Sequence, residues 1–144
     1  MTELKQLTDN LWASPQITAD DVARAKSEGF THIICNRPDD EAPGQPSAME
    51  IGSAARQHGM GFTSVPVSSA GFSLPQVAAM QDALAKGGNK VLAYCRSGTR
   101  STLLWELAQA KAGADLEEID RRASAAGYST SAVRPMMELL AKGD

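Results

Sequence analysis

Lys90-Val91-Leu92-Ala93-Tyr94-Cys95-Arg96-Ser97-Gly98-Thr99-Arg100-Ser101 holds the clearest strand pattern of the chain and runs it directly into a short polar loop. The apolar run to Tyr94 has the length of a buried strand; after Arg100 a helix takes up Leu103, Leu104, Leu107 and Ala108 and ends near Gly113. A tight strand-to-helix loop turns consecutive backbone N–H groups inward, and the helix dipole adds positive potential at the same point, so an anion is stabilised there. Cys95 occupies the first position, where those amides and the Arg100 guanidinium are expected to hold its sulfur as the nucleophilic thiolate. Gly98 supplies backbone freedom in a crowded loop, and Arg100 can offer a charge-assisted fork to a tetrahedral anion. Arg96, Ser97 and Thr99 add further donors for the anion. The Ser101 hydroxyl is placed to donate to the sulfur or to a leaving group.

Strand-length hydrophobic runs alternate with helix-length stretches along the rest of the chain, the pattern of an α/β domain with a mainly parallel sheet. Leu11–Ser14 reads as a short strand stopped by Pro15. Thr18 can cap a helix that runs to Lys26 and stops at Gly29. Thr31–Cys35 is a buried strand of β-branched residues. Residues Asp39 to Pro46 hold two prolines, a glycine and three acids, so they form a loop, after which Ser47 can cap a helix from Ala48 to about His58. This loop leaves the carboxyl end of a strand, where ligands bind in such sheets. Gly61–Val67 reads as the next strand, with Pro66 marking an edge or an irregular end. Ser73 and Gln76 form a capping-box pattern with Pro75 in the first turn, and that helix continues to Gly87-Gly88. Two more helices follow, roughly Leu116–Ala126 and Ala132–Ala141, the second with Arg134-Pro135 in its first turn, where proline is tolerated. One three-layer domain over residues 1–144 is expected, with four or five strands flanked by helices.

With 144 residues, 14 Lys+Arg against 17 Asp+Glu and 42% apolar residues, the composition is that of an ordinary folded domain with a formal charge of −3. No basic excess exists to serve nucleic acid or an anionic membrane. No run approaches the roughly 20 apolar residues of a membrane span. Met1–Asn10 lacks the basic start and apolar centre of a signal peptide, so a cytoplasmic location is expected. Cys35 and Cys95 have no close His or Cys at metal-ligand spacing, so each reads as a thiol and neither a metal nor another cofactor is expected. Cys35 reads first as a buried strand residue and second as a resolving thiol for Cys95, which would need Cα atoms within about 7 Å.

Six residues from Cys95 to Arg100 make a smaller loop than the Cys-x5-Arg of tyrosine and dual-specificity phosphatases, which also have His where Tyr94 stands. Tyr94–Ser101 resembles the active loop of rhodanese sulfurtransferases, whose cysteine carries sulfane sulfur as a persulfide. Elsewhere the layout resembles dual-specificity phosphatases. Asn36-Arg37-Pro38-Asp39, Pro43-Gly44-Gln45-Pro46-Ser47 and Tyr94–Ser101 together resemble the bacterial β-lactamase-hydrolase-like, phosphatase-like domain family, over nearly the whole chain up to about Ala112. This resemblance implies a cysteine-phosphatase-like fold. Related chains are fused to a metallo-β-lactamase-type domain of the persulfide-dioxygenase kind, which would be a partner here.

Loop size favours sulfur transfer, because a small ring of amides suits one extra sulfur better than a phosphoryl group. Dual-specificity phosphatases also carry an Asp general acid in the loop that here reads Ser68-Ser69-Ala70-Gly71-Phe72, with no carboxylate. A phosphatase would have to recruit Asp39, Asp40 or Glu41, with Asp39 the possible acid named first, or act only on good leaving groups. The leading expectation is therefore a sulfurtransferase that moves sulfane sulfur through a Cys95 persulfide, taken from a small anionic donor. A phosphatase-like hydrolase acting on a phosphate ester through phosphocysteine is the alternative, and a non-catalytic anion or persulfide sensor the third. Arg37 and Asp39 are expected near the pocket mouth, Arg37 serving either the anion or a salt bridge that pins the loop. His32 and His58 read as structural, Trp12 and Trp105 as core or pocket-wall residues, Met136-Met137 as packing or, if exposed, a partner contact, and Glu118 and Arg122 as an exposed helical ion pair.

Overall fold

Four parallel strands and one antiparallel edge strand form a mixed sheet in the computed structural model, which describes residues 4–142. Met1 to Glu3 of the amino-terminal stretch therefore lie outside the described residues. The elements are β1 (Lys5–Gln6), β2 (Leu11–Ser14), α1 (Ala19–Ser27), β3 (His32–Cys35), α2 (Ala48–Gln57), β4 (Gly61–Ser64), α3 (Leu74–Lys86), β5 (Val91–Tyr94), α4 (Thr99–Lys111), α5 (Leu116–Ala125) and α6 (Arg134–Ala141). The strand order is β1-β2-β5-β3-β4.

Local chemistry sets the helix starts. Thr18 and Asp21 form a reciprocal capping box on α1, Ser73 and Gln76 form another on α3, and the Ser47 and Asp115 side chains cap α2 and α5. Packing then sorts the helices. Val22, Ala25, Ile51 and Ala55 bury one face of the sheet together with Ile33, Leu92 and Tyr94. Val77, Met80, Leu104, Leu107, Ile119 and Met137 cover the other face with Ile34, Val91 and Ala93. Thus α1 and α2 form one layer and α3 to α6 the other.

This topology places the site. The chain steps outward from β2 to β3 to β4 with α1 and α2 on one face, then returns through α3 on the other face and inserts β5 between β2 and β3. The loops after the carboxyl ends of the parallel strands share one rim, and the reversal of direction opens a crevice there at β5.

Two expectations need correcting. The Gly61–Val67 strand ends at Ser64 as a regular element, because Pro66 has no N–H; Val65 and Val67 still donate to the Cys35 and Asn36 carbonyls at 2.8 and 3.0 Å. The sheet also gains β1, whose exposed Lys5-Gln6 carries no hydrophobic pattern and pairs antiparallel with Trp12 and Ala13. Trp105 is buried, Trp12 packs edge-on against Phe30, and His32 Nε2 lies 2.8 Å from Thr63 Oγ1. Glu118 pairs with Arg122 at 2.9 Å. No described helix is long and apolar enough to cross a membrane.

Candidate active site

Cys95 follows the central strand and is fully buried, its N–H donating to Ser14 O at 3.3 Å. The loop then folds back on its own sulfur. The Gly98 N–H donates to Cys95 Sγ at 3.1 Å. Gly98 has φ +94 and is the N-cap of α4 with no side-chain cap, so the first amides of that helix lack intrahelical acceptors and face the loop. Gln16 N–H on Arg96 O and Thr102 Oγ1 on Gly98 O, at 3.3 and 2.9 Å, fix the two ends of the loop. Ser97 Oγ donates to Thr99 Oγ1 at 3.0 Å. Ser101 Oγ is buried without a hydrogen-bond partner among the described residues.

Arg100 is fixed by contacts from two other loops. One terminal nitrogen donates to Glu41 Oε2 at 2.8 Å and to Val67 O at 2.6 Å, and the other donates to Glu41 Oε1 at 2.8 Å. Glu41 Oε1 also accepts from Arg37 Nε at 3.0 Å, while Arg37 Nη1 donates to Gln16 Oε1 at 3.0 Å. The Arg100 guanidinium, held above its ordinary pKa first by Glu41 against the opposing effect of burial, is close enough to Cys95 for the sulfur to add to the shift. The hydrogen bond from Arg100, reinforced by Arg37, pulls the Glu41 carboxyl down to about 2 against the opposing effect of desolvation. Glu41 is thus ionised at neutral pH.

Of the residues expected at the site, Cys95, Arg96, Ser97, Gly98, Thr99, Arg100 and Ser101 share this loop and the start of α4. Arg37 is buried and is joined to Arg100 through Glu41. Asp39 accepts the Ala48 N–H at 2.8 Å, which ties its carboxylate to the first turn of α2. Cys35 Sγ donates to Arg37 O at 3.3 Å within the α1/α2 layer, where burial pushes its thiol pKa up. Two contributors were missed as such: Glu41, named only as a reserve acid, holds Arg100, and the Tyr128 hydroxyl reaches Ser97 O at 3.5 Å and stands directly over Gly98.

A hollow of about 380 Å³ lined by Glu41, Ser69, Arg96 and Arg100 opens at this rim. Residues 3–112 match the family described as beta-lactamase hydrolase-like protein, phosphatase-like domain. The chain belongs to this family. A beta-lactamase hydrolase-like protein of Agrobacterium fabrum is 32% identical over 120 residues, which cover 81% of this chain and 28% of that protein. The chain therefore spans little more than a quarter of that relative's length. Among solved structures, a candidate phosphatase of Neisseria meningitidis is 34% identical and covers all of both chains with a TM-score of 0.80. The fold also matches Pseudomonas aeruginosa TpbA, solved with pTyr, at 19% identity and a TM-score of 0.58 over 94% of this chain and 90% of that one. By family and fold the chain is thus a phosphatase-like domain. These likenesses favour the phosphatase alternative over the sulfur transfer that loop size favoured.

Proposed function

We propose that the chain hydrolyses phosphate monoesters through a phosphocysteine at Cys95. The observation that carries this reading is the Gly98 N–H donated to Cys95 Sγ at the head of a helix whose first turn carries Arg100, held at the same rim by Glu41 and Val67 O, in a cysteine-phosphatase fold. The sulfur attacks phosphorus, the P–O bond to the leaving group breaks, and the leaving oxygen departs with the bonding pair. Water then attacks the phosphocysteine, the P–S bond breaks, and inorganic phosphate leaves while the sulfur regains its electron pair. Arg100 and the loop amides take up the charge of the phosphoryl oxygens in both steps. Ser97, Thr99 and Ser101 belong to the same anion-binding loop in this reading.

No carboxylate stands in the Ser68–Phe72 loop to protonate the leaving oxygen, and Glu41 is ionised and doubly paired. Asp39 would act as the acid only after releasing Ala48, so a stable leaving group is favoured. Steady-state hydrolysis of aryl phosphates by the native protein and by Cys95→Ser tests the proposal. Turnover is expected from the first and none from the second; equal rates would overturn it.

The four-residue spacing between Cys95 and Arg100 keeps sulfur transfer as a second reading. It predicts a persulfide on Cys95 after incubation with thiosulfate, and a metallo-β-lactamase-type persulfide dioxygenase as the partner.

A further inference from the structure

Three arginines stand at the rim, and they are unequally occupied. Arg37 is 5% exposed and engages Glu41 and Gln16. Arg100 engages Glu41 and Val67 O. Arg96 is exposed, and its side chain has no hydrogen-bond or ion-pair partner among the described residues, although its carbonyl is fixed by Gln16 N–H at 3.3 Å. Its backbone is therefore held while its guanidinium remains available at the wall of the hollow it shares with Arg100, Glu41 and Ser69.

Charge and lining together define what fits. Glu41 is engaged by both Arg100 and Arg37, which leaves the Arg96 guanidinium uncommitted among the described residues, beside the loop that would hold a phosphoryl group. No aromatic or aliphatic residue lines the hollow, so an aryl or acyl group gains little there beyond the phosphoryl contacts. A guanidinium matches a phosphate group with two parallel hydrogen bonds.

We propose that the substrate is a phosphate ester with a stabilised leaving group that carries a second phosphate close to the scissile one, with Arg96 binding that second phosphate while Cys95 and Arg100 hold the scissile one. This substrate class rests on the phosphatase reading, but the second-phosphate subsite is measurable without turnover. Arg96 is a specificity-determining residue in this account, outside the bond-breaking step.

Calorimetric titration of Cys95→Ser, with Cys95→Ala as a second non-reacting background, compares a vicinal propanediol bisphosphate with the matching propanediol monophosphate. The bisphosphate should bind at least about ten-fold tighter, the size of one added charge-assisted contact. That preference should fall to within about two-fold when Arg96→Gln is added and be only partly restored by Arg96→Lys, which keeps the charge but not the two-point fork. Equal affinities for the two ligands, or a preference that survives Arg96→Gln, would overturn the subsite. Turnover of phenyl phosphate by the native protein is scored separately. If phenyl phosphate is not hydrolysed but the Arg96-dependent preference persists, the hydrolase reading fails while the anion subsite stands.

Discussion

Glu41 and Arg100, 59 residues apart, meet in a two-point ion pair with both carboxylate oxygens 2.8 Å from the guanidinium, and Arg37 braces the same carboxylate from behind at 3.0 Å. Two of the five guanidinium N–H groups go to Glu41 and one to Val67 O, which leaves the remaining donors for the loop and its anion. In the proposed mechanism Glu41 would be a positioning residue for Arg100, the arginine assigned there to the phosphoryl oxygens.

Replacing Glu41 with Gln should lower kcat/KM on aryl phosphates about 10- to 100-fold, because Arg100 loses its fixed orientation. The pH profile separates positioning from acid catalysis. A positioning carboxylate titrating near 2 leaves the basic limb of the profile in place in Glu41→Gln, whereas loss of that limb would show that Glu41 donates a proton.

Gly98→Ala should nearly abolish activity and cost about 1–3 kcal/mol of stability. Its φ of +94 is unfavourable for any L side chain, and the added Cβ would stand 2.4 Å from Tyr128 Oη. Tyr128→Phe in the same chain removes that contact but leaves the next at 3.3 Å and the backbone strain, so melting experiments should show partial recovery only.

Leaving-group dependence should be steep across a series of aryl phosphates, since no carboxylate in the Ser68–Phe72 loop is available to protonate the departing oxygen. Rates with activated phenols should greatly exceed those with alkyl phosphates, and Asp39→Asn should change this slope little. A slope that is flat in the native protein and steep in Asp39→Asn would make Asp39 the acid.

Stability should fall as pH rises across the neutral range because of Glu106. Its carboxyl is fully buried in α4 with no hydrogen-bond partner on either oxygen among the described residues, and desolvation, aided by the Asp120 carboxylate, pushes its pKa up to about 8. Asp120 is itself paired with Arg134. The folded chain keeps a proton that the unfolded chain releases above its ordinary value of 4.5, so the stabilising difference is lost between the two values as pH increases. The slope from this residue reaches at most about 1.4 kcal/mol per pH unit. Melting temperatures from about pH 5 to about pH 8 should show this decline in the native chain and a flatter profile in Glu106→Gln. Glu41 has the opposite sign, since its depressed pKa contributes stability above pH 4.5 that is lost as pH falls towards 2.

Much of this arrangement was legible because it is local. Thr18, Ser47 and Ser73 announce three helices by their own side chains, and the Val91–Tyr94 strand running into Cys95 places that cysteine at the end of a central strand without any long-range information. Distant partnerships were not legible. Nothing in the Asp39–Pro46 stretch distinguishes Glu41 from its two acidic neighbours until the sheet brings two loops to one rim. Only the folded chain shows that Asp39 turns to Ala48 and Glu41 to Arg100. Likewise, β1 is two exposed residues whose pairing depends on β2 already being in place.

The most direct measurement is rapid quenching during turnover of an aryl phosphate, followed by mass spectrometry of the peptide that contains Cys95. One phosphoryl group should appear on Cys95 and rise with the burst of released phenol, with none in Cys95→Ser. Sustained hydrolysis with no phosphoryl group on that sulfur at any time point would contradict the account.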